Sequence, residues 1–224
     1  METLIDGFFN TRILLEAMPY LLQGLSMTLL LCAVALPLGM AGGLVLALAS
    51  TSHRRVLRWP AAAYTDFFRA FPPLVLLLFI AFGLPFLGVK PPPFVSVALA
   101  FLLNTSSYYG EILRAGIESV PQGQLEAARS TGLTRGQTMR YVVLPQAVRN
   151  VLPDLISNTL EVVKLTSIAS VVALPELLFQ ARQAQSVTYN ATPIMVAAVV
   201  YFILLWPVVR ILSRLENRQL AGRR

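Results

Sequence analysis

Five stretches of this chain, at about 21–49, 67–88, 93–111, 151–175 and 191–212, are almost continuously apolar. Each approaches or exceeds the roughly 20 residues that cross the hydrocarbon core of a bilayer, so each predicts a membrane-spanning helix. The first contains Pro37 and a Gly39/Gly43 pair, a spacing that lets another helix come close. The second opens at Phe71-Pro72-Pro73, where two consecutive prolines remove two amide donors and predict a break or kink. Between the third and fourth stretches lies a polar interruption, Ser119–Asp154, which reads SVPQGQLEAARSTGLTRGQTMRYVVLPQAVRNVLPD.

That interruption has helix punctuation of its own. Pro121 suits a helix start, because its missing donor would be unpaired there in any case. Gln124 through Thr131 can then form about two turns, with Glu126 toward the positive end of the helix dipole. Gly132 fits the left-handed position that ends a helix. Thr134, followed three residues later by Gln137, is a capping-box pattern for a second helix. That second helix is expected to run to about Val143, where Pro145 interrupts it. The small residues Ala127, Ala128 and Gly132 fall at the corner, and small residues let a partner's backbone approach. An amphipathic loop lying on the membrane surface fits the same residues equally well.

Composition supports the bilayer. Of 224 residues, 56% are hydrophobic and 13% charged, with a mean hydropathy of +0.66. Soluble domains average about 45–50% apolar and about 25% charged. The net charge of +7 does not point to nucleic acid, because the basic residues sit at the ends of apolar runs rather than along one tract. Arg54, Arg55, Arg58, Arg114, Arg129, Arg135, Arg140, Arg149, Arg210, Arg214, Arg218, Arg223 and Arg224 fall on one side of the five spans, and only Arg12, Lys90 and Arg182 on the other. Such a bias places the first side in the cytoplasm, the N-terminus outside, the C-terminus inside and Ser119–Asp154 inside. The acidic N-terminus is unlike a signal peptide, so residues 1–19 are expected as an external segment, 20–213 as the membrane domain and 214–224 as a cytoplasmic tail.

Candidate chemistry narrows the choice of function. Cys32 and His53 are the only cysteine and histidine, which leaves no disulfide framework, metal cluster or His-based catalytic set. The GxxxxGK[ST] phosphate loop is absent, since Lys90 precedes proline and Lys164 precedes leucine. Three charge pairs are spaced i, i+3: Asp66/Arg69, Glu111/Arg114 and Glu161/Lys164, and each can neutralise itself on one helix face. The first two are expected near the membrane interface. Glu161 and Lys164 lie well inside the fourth span, where a charge costs about 2.5–3.5 kcal/mol on insertion scales. With Asn158, Thr166 and Ser167 they make a polar stripe, read either as pathway-facing or as a structural pair at a subunit interface. A zwitterionic solute needs one partner of each sign, and this pair could supply both.

Glu126-Ala127-Ala128, three residues, Gly132, nine residues, Val142, one residue and Leu144-Pro145 resemble the EAA loop of ABC-importer permeases. The flanks resemble the polar amino-acid uptake subfamily: Glu111–Ile117 and Ser119–Gln124 ahead of the loop, Leu144–Ala147 and Lys164–Ile168 behind it. Gly24–Leu29 and Arg69–Pro72 resemble that subfamily's G-x-x-x-T-L and R-x-x-P elements. Leu165 departs from the pattern, standing where an acidic residue is usual.

The resemblance implies an all-α membrane protein of about five transmembrane helices with a short cytoplasmic coupling-helix pair, the permease fold of a type I importer. It also implies a transport subunit rather than an enzyme, without a cofactor of its own. ATP-Mg would be held by separate ABC ATPase subunits, a second permease would complete the pathway, and a periplasmic or lipid-anchored binding protein would deliver an amino acid or related solute. The site would be the inner membrane of a bacterium. Glu126, Ala127, Ala128, Gly132, Thr134, Leu144 and Pro145 would form the ATPase-coupling element. An ion-coupled secondary transporter is the alternative; five spans without an inverted repeat fit it poorly.

Overall fold

The computed structural model describes residues 7–221, with side chains to Arg214. The acidic residues Glu2 and Asp6, the arginines Arg223 and Arg224 and the side chain of Arg218 lie outside what is described. The described residues are helical and contain no strand, as the apolar runs predict. The long helices are α1 (Thr11–Ser50), α2 (Arg55–Ala70), α4 (Pro93–Glu118), α8 (Leu152–Leu165), α9 (Leu177–Thr188) and α10 (Thr192–Ala221). Shorter elements are α3 (Pro73–Leu78), α5 (Gln122–Ser130), α6 (Arg135–Thr138) and α7 (Leu144–Asn150). A 3-10 segment, Thr166–Val172, prolongs α8.

Three of these are long and apolar enough to cross a membrane: α1, α8 with its 3-10 extension (Leu152–Val172), and Thr192–Arg214 of α10. The pair Arg55–Ala70 and Pro73–Leu87 is bent and makes a fourth if it counts as one span. The expected span at 93–111 lies within α4, whose 26 residues reach about 39 Å at 1.5 Å each. Its apolarity is interrupted by Asn104-Thr105-Ser106-Ser107, all buried in the protein. Helix α1 also takes in residues 11–19, read from sequence as part of the external segment.

The chain divides into two compact units, one formed by Met1–Ala35, Leu74–Ala100 and Leu160–Arg224, the other by Leu36–Pro73 and Phe101–Thr159. In the first, Ala17 and Leu21 of α1 pack with Leu177 and Ala181 of α9 and Ala197 of α10. A Cβ on Gly24 would lie 2.9 Å from the carbonyl oxygen of Glu176. One turn on, the Thr28 hydroxyl accepts from the Leu177 N–H at 3.1 Å. The Gly24/Thr28 spacing is therefore a seat for the start of α9: the glycine admits its backbone and the threonine pairs one of its free amides.

In the second unit, α1 packs on α4 through glycine. A Cβ on Gly43 would lie 2.8 Å from the backbone nitrogen of Gly110, and one on Gly42 would lie 3.0 Å from the Ser106 Cβ. One on Gly39 would run into Thr105. The Gly39/Gly43 pair thus serves packing within the chain. Below it, Ala47, Tyr109, Leu113 and Ile117 join Val143, Ala147, Val151 and Leu155 in one buried cluster. This cluster fixes the polar Ser119–Asp154 segment to the end of α4.

A π turn precedes each of the leucine-proline pairs Leu84-Pro85 and Leu144-Pro145, at Phe79–Gly83 and Met139–Val143, whereas Leu36-Pro37 lies within α1 without one. A proline ring clashes with the carbonyl four residues back, and widening the preceding turn relieves that clash. Pro145 therefore does not end the second helix of the polar segment, contrary to the sequence expectation. The Leu144 N–H reaches back to the Met139 carbonyl, and the Gln146 side chain donates to the Val142 carbonyl at 2.9 Å. Helical structure continues to Asn150.

Candidate functional site

The polar segment folds much as its caps predict. Pro121 is the N-cap of α5, which starts at Gln122, two residues ahead of the expected first turn. Gly132 turns the chain at φ +87°, a conformation that side chains other than glycine rarely adopt. Thr134 and Gln137 close the capping box: the Gln137 N–H donates to Thr134 Oγ1 at 3.3 Å, and the Thr134 N–H donates to Gln137 Oε1 at 2.9 Å.

The segment is held from behind. Leu125, Met139 and Leu144 pack on the buried cluster. A Cβ on Gly116 would lie 2.9 Å from the Ala147 carbonyl oxygen, so α4 and α7 meet backbone to backbone. The Asn150 side chain donates to Ser119 Oγ at 2.9 Å, tying the end of the segment to its beginning.

The predicted coupling residues divide into two sets. Glu126, Ala127, Gly132, Thr134 and Pro145 are exposed, while Ala128 is buried and Leu144 half-buried. Ala128 therefore faces the chain's own interior and does not form the outward corner with Ala127 and Gly132. Nothing lies within 4 Å of a Cβ built on Gly123, Gly132 or Gly136. The exposed side is thus open around Gly123, Gly132 and Gly136, on a firmly seated base.

Charges near this base form a chain. Glu111 takes two hydrogen bonds from Arg114, at 2.9 and 2.7 Å, and Arg114 also reaches Glu118 at 2.6 Å. Its bonds to Glu111, and then to Glu118, raise the guanidinium pKa beyond its already high ordinary value against the opposing effect of burial. Arg69 pairs with Glu111, at 3.6 Å, and not with Asp66 as its i, i+3 spacing suggested. Asp66 instead lines a cleft of about 410 Å³ with Arg58, Trp59 and Thr65 of α2 and the charged end of α4.

The polar stripe of the fourth span holds in part. Lys164 Nζ donates to Glu161 Oε1 at 2.6 Å, with both side chains more than half exposed on this chain. Asn158 lies three residues before Glu161 on the same helix, its Nδ2 buried and without a hydrogen-bond partner among the described residues. Ser167 caps the Lys164 carbonyl at 2.8 Å. Thr166 is fully buried and bonded to the Val163 carbonyl, so it supports the helix from inside.

Sequence reading passed over Glu176. Its carboxylate is fully buried and accepts from the Leu178 N–H at 2.8 Å and the Phe179 N–H at 2.7 Å, capping α9, while Tyr201 donates to it at 3.2 Å. The available signal was position: an acid immediately ahead of an amphipathic helix can cap its free amides.

Residues 39–221 match the family described as binding-protein-dependent transport system inner membrane component. This chain belongs to that family. It is 40% identical over 177 residues to a probable amino-acid ABC transporter permease protein of Bacillus subtilis, YckA, covering 79% of this chain and 78% of the relative. It is 36% identical over 188 residues to the arginine transport system permease protein ArtQ of the same organism, covering 83% and 86%. The crystal structure of an amino acid ABC transporter with histidines superposes with a TM-score of 0.82 at 38% identity, over 92% of this chain and 96% of that one. An inward-facing MetNI methionine ABC transporter at 22% identity has a TM-score of 0.73 and shares the fold. Membership of this permease family makes the chain a transport subunit and does not favour the ion-coupled alternative.

Proposed function

We propose that this chain is the permease subunit of an ATP-driven importer of a polar amino acid or related small solute. Separate ABC ATPase subunits would dock on the open face formed by Glu126, Ala127, Gly132, Thr134 and Pro145. One observation carries this reading: that face is exposed while its underside, Ala128, Val143 and Ala147, is buried. A push on α5 would therefore move the seated unit as a rigid body, the usual form of alternating access.

The remaining parts follow from the same assembly. The N-terminus lies outside and the tail inside, as the arginine bias requires, with 20–213 as the membrane domain. A second permease, a copy or a paralogue, completes the pathway, and a binding protein delivers the solute. Glu161, Lys164, Asn158 and Ser167 face that pathway, and the buried Thr166 backs them. The relatives' amino-acid substrates support the solute class.

The test is reconstitution of the chain in proteoliposomes with a partner ABC ATPase and a solute-binding protein. Amino-acid uptake should require all three proteins and ATP. Uptake that persists without any ATPase would overturn the reading.

A further inference from the structure

The break after α2 leaves two carbonyls without their helical partners, and α4 supplies both replacements. In an uninterrupted helix the N–H of residue 72 would pair with the Phe68 carbonyl, and that of residue 73 with the Arg69 carbonyl. Both positions are proline, which has no N–H. The last backbone bond is Phe71 N–H to the Phe67 carbonyl, at 3.0 Å, and Phe71 itself is extended at φ −87°, ψ 124°.

The Asn104 side chain donates Nδ2 to the Phe68 carbonyl at 3.4 Å, and the Tyr108 hydroxyl donates to the Arg69 carbonyl at 3.4 Å. The Arg69 guanidinium lies over the Tyr108 ring, 5.7 Å from its centroid, and its Nη1 is 3.6 Å from Glu111. Asn104, Tyr108 and Glu111 are spaced i, i+4, i+7, which puts them on one face of α4.

We infer that Asn104, Tyr108 and Glu111 are positioning residues in a three-point clasp that fixes where the span breaks: Asn104 and Tyr108 stand in for the amides missing at Pro72 and Pro73, and Glu111 holds the Arg69 side chain. The Phe68 contact is part-buried and the Arg69 contact exposed; each carbonyl loses its one replacement partner without the clasp, so the last turn of α2 frays. Glu111 belongs at the same time to the Arg114–Glu118 chain at the end of α4, and α4 leads through Ser119 and Val120 into the coupling helix. The clasp therefore joins the broken span to the element that receives the ATPase. This last step rests on the proposed function; the clasp itself does not.

The experiment uses the chain in lipid nanodiscs, unaltered and as Asn104→Leu and Tyr108→Phe, with hydrogen exchange read on the peptide that covers Phe67–Phe71. Exchange there should quicken by about five- to tenfold in each variant, the loss of one ordinary hydrogen bond, while exchange in α9 stays unchanged. In proteoliposomes with the ATPase and binding protein, solute moved per ATP should fall in both variants. Exchange equal to that of the parent overturns the clasp. Faster exchange with an unchanged solute-to-ATP ratio overturns its part in coupling. Failure of the parent chain to need an ATPase would refute the proposed function alone, because the exchange measurement does not depend on it.

Discussion

Gly132 offers a clean test of whether the turn between α5 and α6 transmits force. The residue sits at φ +87°, and no atom lies within 4 Å of a Cβ built there. A side chain at this position therefore meets no steric obstacle, and only backbone energetics can change. An L-residue in the left-handed region costs roughly 1–2 kcal/mol, less for asparagine, whose short polar side chain tolerates it. Proline fixes φ near −65°, about 150° away, and also deletes the Gly132 N–H that donates to the Arg129 carbonyl at 3.0 Å.

The variants should consequently fall in the order asparagine, alanine, valine, proline. With about 1.4 kcal/mol per tenfold, Gly132→Asn should stay within about twofold of the parent in solute moved per ATP. Gly132→Ala should lose about five- to twenty-five-fold, and Gly132→Pro should hydrolyse ATP with almost no uptake. The assay compares labelled amino-acid uptake with phosphate release in the same proteoliposomes. A Gly132→Pro permease with the parent's ratio would refute the reasoning, since the turn could then take any shape without consequence. So would an order that follows side-chain size and puts asparagine below alanine, because it would mean a partner fills the space beside Gly132 and sterics decide.

Other substitutions probe separate parts of the structure. Thr134→Ala removes the acceptor of the capping box and should cost about 1 kcal/mol of local helix stability, seen as faster hydrogen exchange at Gln137, whereas Thr134→Ser should retain the parent's rate. Thr28→Val leaves the buried Leu177 N–H without its partner; a loss of about 1–3 kcal/mol is expected, read as a lower Tm in detergent, and an unchanged Tm would mean that the seat for α9 is held by packing alone. Glu161→Gln and Lys164→Met each strand one charge of the proposed pathway pair and should raise the apparent KM for uptake or lower its rate several-fold. Parent-like values for both would remove these residues from the pathway.

Legibility from sequence followed the range of the interaction. The break at Pro72-Pro73, the left-handed turn at Gly132 and the Thr134/Gln137 box were readable because each depends on chemistry within four residues: a missing donor, a permitted φ, a side chain in reach of its own helix. Pro145 misled for the opposite reason. Its tolerance depends on a π turn and on the Gln146 amide, a local alternative that the residue types do not announce. Asp66/Arg69 misled because a helix-spaced partner was assumed, when Arg69 reaches 42 positions along the chain to Glu111. The Gly24/Thr28 pair shows the boundary well. Its spacing marked it as a motif, but its reason, the backbone of Glu176 and Leu177, lies about 150 residues away. Ala127 and Ala128 make the same point at shorter range: neighbours of nearly identical chemistry face outward and inward because α5 is phased by Leu125 and Ala128 packing inward. If an ATPase reads this helix, it reads Glu126 and Ala127, while Leu125 carries the push inward to the cluster that holds Val143 and Ala147. A bulky residue at 127 should then block docking and leave the fold intact, whereas one at 128 should disturb the fold first.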